Sequence, residues 1–340
     1  MTFSLSWVMR KTQTGNIYPM TAQPSVSIII RAFNEEKHLG ALLESIAQQS
    51  FQDYEIILVD SGSTDRTLSI ASQYPVKILH IKPEDFTFGR SLNLGLRSAT
   101  GEIAVLASAH VLSQDKEWLK NLVAPFSDAK VAIAYGKQRG GKGSKFSESQ
   151  HFIRWFPDKS DFDQPHPYCN NANLALRHSV WEQQAFDETL TGLEDLAWAS
   201  VLREQGYKIA YVAEAGVTHL HDETSAQIVN RHRREAIALR RILPKSRFTF
   251  WNFASLFLHS VVSDCRAAIQ QRVFLREVVG IFSFRYLQYL GTFRGYHDPL
   301  DPSQALKQVF YYPPGNLEQR NHPKVNKSVR EVRPEVKVDD

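Results

Sequence analysis

The first hundred or so residues alternate short, wholly apolar runs with longer runs of helical spacing. Residues 26–30 (VSIII) are apolar and β-branched, the polar string Arg31-Ala32-Phe33-Asn34-Glu35-Glu36 follows, and apolar positions then recur with helical spacing from about 39 to 48. This reads as strand, loop, helix. A second apolar run at 55–59 (EIILV) ends in Asp60-Ser61-Gly62-Ser63-Thr64-Asp65, a turn-forming string in which Thr64 or Asp65 caps the next helix. A strand at 76–80, a helix at 91–98 and a strand at 103–107 continue the alternation. Strands alternating with crossover helices predict an α/β fold on a mostly parallel sheet, whose ligands sit at the carboxyl ends of the strands.

Beyond a strand at 131–135 the pattern loosens into Gly140-Gly141-Lys142-Gly143-Ser144, which has no Walker order and reads as a mobile loop. Order returns after Asn170, with a helix at 193–205, a strand at 208–212 and a basic helix over 225–243. Aromatic-rich stretches at 248–262 and 273–289 follow, and the tail at 313–340 is polar, charge-dense and expected to be poorly ordered. The predicted organisation is an extension at 1–23, an α/β domain at 24–225, a helical extension at 226–312 and that tail.

Composition narrows the picture little: at 43% hydrophobic and 22% charged, the chain of 340 residues is ordinary globular protein. Cys169 and Cys265 lie far apart and fit neither a disulfide framework nor a zinc ribbon. No secretory signal or membrane-spanning stretch is visible, which predicts a cytoplasmic protein. A net charge of +4 does not imply nucleic acid, although arginines cluster between 231 and 241.

The chemistry-bearing residues fall at successive strand ends: Asn34 and Glu35 after the first, Asp60 and Ser61 after the second, Ser108-Ala109-His110 after the fourth. An aspartate there can accept from a pyrimidine N–H, and the same Asp60 turn also serves as a plain helix cap.

These strings resemble the motifs of family 2 glycosyltransferases of the GT-A fold, over roughly residues 25–225. Residues 27–36 are similar to that family's opening strand with its aromatic-Asn-Glu signature, residues 60–67 to its second motif, and Gly89-Arg90-Ser91-Leu92-Asn93 with Ala99-Thr100-Gly101-Glu102 to the helix and turn before its metal site. The resemblance implies a Rossmann-like mixed sheet and a nucleotide-diphosphate sugar donor of UDP or dTDP type, held by Arg31, Phe33, Glu35, Asp60, Ser61, Arg90, Asn93, Ser108, Ala109 and Asn173. It further implies a divalent cation, manganese or magnesium. Where the family carries Asp-x-Asp this chain has Ser108-Ala109-His110, so His110 is the implied ligand, joined by His219 or, alternatively, His221. In Thr191-Gly192-Leu193-Glu194-Asp195 the resemblance makes Asp195 the general base of an inverting transfer and Glu194 its orienting neighbour.

The basic 225–243 helix beside the aromatic 248–262 stretch has the make-up of an interfacial element among anionic headgroups, the alternative being two core helices with solvated or diphosphate-holding arginines. Residues 286–296 (YLQYLGTFRGY) resemble the ending of bacterial rhamnosyltransferases and related polysaccharide-assembly enzymes. The expectation is therefore transfer to a saccharide or lipid-linked acceptor in cell-envelope polysaccharide or glycolipid assembly, at the inner face of the membrane. A non-catalytic nucleotide-sugar or lipid-binding protein is the alternative. A nucleotidyltransferase is disfavoured by the acidic, glycine-free loop after the first strand.

Overall fold

The structure, a computed structural model, describes residues 24–220 and 223–312. The expected extension at 1–23, the tail at 313–340 and His221 lie outside the described residues. In chain order the elements are β1 (Val26–Ala32), α1 (Leu39–Ala47), β2 (Tyr54–Asp60), α2 (Thr67–Ala71), β3 (Val76–His80), α3 (Phe88–Arg97), β4 (Ile103–Ser108) and β5 (Val111–Ser113). Then come α4 (Trp118–Val123), β6 (Val131–Gly140), α5 (Phe146–Trp155), β7 (Asn173–Arg177), α6 (His178–Gln183), α7 (Glu194–Glu204) and β8 (Lys208–His219). Four helices close the described chain: α8 (Ser225–Ile242), α9 (Phe250–Gln270), α10 (Phe274–His297) and α11 (Gln304–Tyr311).

The strands form one sheet in the order β3-β2-β1-β4-β7-β6-β8-β5. The first four are mutually parallel, β7 runs antiparallel between β4 and β6, and β8 is parallel to β6. Both faces are covered, which is why the strands read as unbroken apolar runs. Ile28, Ile30 and Ala32 face one core with Leu39, Leu42 and Ile46 of α1, while Ile29 faces the other with Leu92 and Leu96 of α3 and Trp198 and Leu202 of α7. Neither expected cap holds α2: its N-cap is Arg66, without a side-chain cap, while Asp65 just before it accepts from the Thr67 N–H at 2.9 Å and Thr64 gives its own N–H to Asn34 Oδ1.

Two elements are longer than their sequence signals. The strand read as 208–212 continues to His219, because its second half finds partners in β6 and β5. The glycine-rich segment read as a loop from 140 begins inside the extended β6. Behind the sheet, α10 lies along α8, and a Cβ on Gly291 or Gly295 would come within 2.4 Å of the Val229 carbonyl oxygen or 2.3 Å of the Arg233 carbonyl oxygen. Those two glycines allow the helix backbones to touch. Arg285 of α10 reaches Asp264 of α9 at 2.7 Å, both buried, and also the Ser147 carbonyl of α5, so one guanidinium ties three helices together.

The arginines of α8 are used inside the molecule. Arg231 pairs with Glu148 at 3.1 Å and Glu223 at 2.7 Å, Arg233 bonds Asp298 at 2.7 Å, and Arg240 and Arg241 bond backbone carbonyls between 295 and 300. The reading of α8 as a cationic face for headgroups is thereby corrected: α8 is a packing helix.

Candidate functional site

The carboxyl ends of β1, β2 and β4 bring together the loops in which the sequence concentrates its chemistry. The β1–α1 loop is pinned to the β2–α2 turn through its backbone: the N–H groups of Asn34, Glu35 and Glu36 donate to Ser63, Thr67 and Asp65 side chains. Asn34 adopts a left-handed conformation, φ 53°, which an asparagine tolerates and most residues do not. Asp60 is buried, its carboxylate accepting from the Gly62 and Ser63 N–H groups, and so it builds the turn it stands in.

Glu35 Oε1 lies 2.8 Å from His110 Nδ1, and the Ser108 hydroxyl lies 3.0 Å from His110 Nε2. Burial opposes protonation of this ring, but the charge and hydrogen bond of Glu35 prevail and hold its pKa above the ordinary histidine value. His219, at the end of β8, stacks on His110 with ring centroids 5.1 Å apart and donates its Nδ1–H to Gln138 Oε1 at 2.8 Å. The two expected cation ligands are therefore neighbours. Among the described residues, however, no three His, Cys, Asp or Glu side chains are grouped to hold an ion, and both His110 nitrogens are engaged. His110 and His219 are the expected ligands that the described residues bring together, and the alternative His221 lies outside them.

Glu194 and Asp195 open α7, and Leu193 before them is held at φ 57°, a strained conformation for a branched residue without a side-chain cap. Both acids are buried. Asn171 serves both: its N–H donates to Asp195 Oδ2 and its side-chain amide to Glu194 Oε1, each at 3.0 Å. Arg31 lies 3.9 Å from Glu194, with its guanidinium against the Phe88 ring. Burial and then the neighbouring Glu194 charge push the Asp195 carboxyl up to about 7, outweighing the bonds from Asn171 and Leu196 and the charge of Arg31. A carboxyl so placed accepts a proton readily near neutrality.

Other residues expected at the donor are placed differently. Asn93 spends its amide on the Trp181 indole, the Phe186 backbone and Glu188. Asn173 is fully buried and holds Trp118 and the Ala215 carbonyl. Arg90 is paired with Glu188 at 2.8 Å. Ala109 is buried under the site and Ser61 bonds back to the Ala32 carbonyl. Within the segment 170–173, it is Asn171 rather than Asn173 that meets the acids, and Asn170 joins Gln138 at 3.0 Å, linking the histidine and carboxylate halves of the site. Tyr312 is a further addition: its hydroxyl donates to the Ser61 carbonyl at 3.1 Å and its ring meets Phe33 edge-on at 4.6 Å.

Residues 27–184 match the family model described as Glycosyl transferase family 2. Over 221 residues the chain is 29% identical to the O-antigen chain rhamnosyltransferase RfbN of Salmonella typhimurium, covering 61% of this chain and 70% of that protein. The O-antigen chain rhamnosyltransferase WbaN of Salmonella anatum is likewise 29% identical over 221 residues, 62% of this chain and 70% of that protein. In fold the chain is similar to the mannosyltransferase PcManGT of Pyrobaculum calidifontis, solved with GDP-Man and Mn2+, with a TM-score of 0.56 at 19% identity over 82% of this chain and 89% of that one. The mixed sheet, its flanking helices and the helical C-terminal region agree with the GT-A expectation.

Proposed function

We infer that this chain, a glycosyltransferase carrying a family 2 domain over residues 27–184, moves a sugar from a UDP- or dTDP-type donor to a saccharide or lipid-linked acceptor in surface polysaccharide assembly. The observation that carries the reading is the buried Glu194–Asp195 pair at the start of α7, with Asn171 donating to both carboxylates and Arg31 3.9 Å from Glu194; burial and Glu194 push the Asp195 carboxyl up to about 7. In an inverting displacement Asp195 takes the proton of the acceptor hydroxyl as its oxygen attacks the anomeric carbon, and the nucleoside diphosphate leaves from the opposite face. Glu194, neutralised in part by Arg31, fixes Asn171 and thereby the orientation of the base. The positively charged form of His110, favoured by Glu35, supplies charge on the diphosphate side. Arg90 is spent on Glu188 and is not assigned that task.

In this reading the enzyme works at the cytoplasmic face of a membrane. No helix among the described residues is long and apolar enough to span a bilayer. The α9–α10 hairpin instead exposes Trp251, Leu258, Ile269, Leu275 and Val279, with Leu275 at 90%, and carries Arg266, Arg272 and Arg276 near its turn. These replace the α8 arginines as the charges available to headgroups. The test is a panel of UDP-, dTDP- and GDP-sugars with manganese, magnesium or chelator, scored by slow donor hydrolysis and by NMR of the anomer released. Preference for one pyrimidine donor with inversion supports the reading; absence of hydrolysis and of nucleoside-diphosphate binding in every arm overturns it.

A further inference from the structure

Between α8 and α11 lies a cavity of about 150 Å³ that the proposed donor site does not use. Its polar lining is Gln227, Asn230, Arg231, Arg234 and Glu223, and α11 closes it with Val309 and Tyr311. Among the described residues, Arg231 and Arg234 each keep a buried Nε–H with no hydrogen-bond partner, an arrangement proteins avoid unless something else supplies the acceptor. Asn230, half-buried in the wall, makes no side-chain hydrogen bond among the described residues.

The cavity is close to the chemistry. The Thr191 hydroxyl bonds the Arg234 carbonyl at 2.8 Å, and a Cβ on Gly192 would lie 3.9 Å from Arg234 Nε, three residues before the general base. Arg234 and Arg31 both lie over the Phe88 ring, at 4.4 and 4.8 Å, and Arg31 contacts Glu194. Charge argues for a neutral occupant: Arg231 already has Glu148 and Glu223 as partners, and Glu223 lines the wall, so an added anion would face a carboxylate. Amides that donate and accept, guanidinium N–H groups that donate and the Glu223 carboxylate that accepts, beside Phe310 and Tyr311, suit vicinal hydroxyls and an apolar ring face.

We propose that this cavity is the acceptor subsite and that it takes a neutral pyranose, the sugar whose hydroxyl Asp195 deprotonates or the residue next to it. The proposal rests on the transferase reading above. Its test uses the full chain and saturation-transfer NMR with methyl glycosides of rhamnose, mannose, galactose and N-acetylglucosamine, with inorganic phosphate as a competitor. At least one glycoside is expected to bind, Asn230→Ala to weaken it about ten-fold, and Val309→Trp, which fills the space, to abolish it. Nucleoside-diphosphate affinity and donor hydrolysis should be unchanged in both variants. If no glycoside binds, if binding ignores both substitutions, or if phosphate displaces the glycoside, the subsite assignment falls while intact donor hydrolysis leaves the transferase reading standing. Loss of donor hydrolysis in the unmodified chain would instead count against that reading.

Discussion

Replacing Asp195 by Asn should stabilise the protein at alkaline pH while removing its activity. Ionising a buried carboxyl held at about 7 instead of the ordinary 3.8 costs about 4 kcal/mol of folding free energy once the pH exceeds both values. The sign follows from proton counting: between those values the folded state holds a proton that the unfolded state has lost, so this group makes stability decline as pH rises. Asparagine has no charge to bury. It keeps one acceptor for the Asn171 N–H and loses the bond from the Leu196 N–H, a pH-independent loss of about 1 kcal/mol. Chemical denaturation of both proteins at about pH 5.5 and about pH 8.5 reads this carboxyl together with its coupling to Glu194, because the remaining titrating groups are shared. The difference in unfolding free energy should move in favour of the variant by about 2 kcal/mol between the two conditions. A difference that is the same at both pH values would refute the claim that burial and Glu194 raise this group.

Three other perturbations test the fold that positions the site. Asp264→Ala strands the buried Arg285 guanidinium and should cost about 3–5 kcal/mol in urea unfolding; a cost below about 1 kcal/mol would show that the pair does not tie α9 to α10. Gly295→Val puts a branched side chain where even a Cβ would sit 2.3 Å from the Arg233 carbonyl oxygen, and a loss of about 1–3 kcal/mol or more is expected, seen as a lower melting temperature. Tyr312→Ala removes a buried ring from Phe33 and a bond to Ser61, and should weaken the docking of α11 by about 3 kcal/mol. Hydrogen exchange reads this directly, and undiminished protection of residues 304–311 would contradict it.

Much of the fold is legible in the sequence because period and length speak for themselves. The apolar runs at 26–30, 55–59 and 103–107 became β1, β2 and β4, since strands buried on both faces have no polar side to interrupt them. The antiparallel β7 was hidden by its amide-rich start at Asn173, whose side chain turned out to be fully bonded within the core. Strand β8 ran past its sequence signal because its end pairs with the three-residue β5, a contact set by tertiary partners and not by local propensity. At the site, the placement of Glu194 and Asp195 on the first turn of a helix was readable, and so was the neighbourhood of His110 and His219. The partner of the acids was not: Asn170, Asn171 and Asn173 are alike in sequence, and only the geometry shows which amide faces a carboxylate. Tyr312 joins Phe33 from the far end of the chain, where no spacing rule reaches.

The most direct test of the central claim is the pH dependence of kcat/KM for donor turnover in the native chain and in its Asp195→Asn and Asp195→Glu variants. The rate should rise through about pH 7, fall by at least about a hundred-fold in the Asn variant with that rise gone, and recover in part with Glu. A rate independent of pH across that range, or an Asn variant within about ten-fold of the native enzyme, would show that Asp195 is not the base.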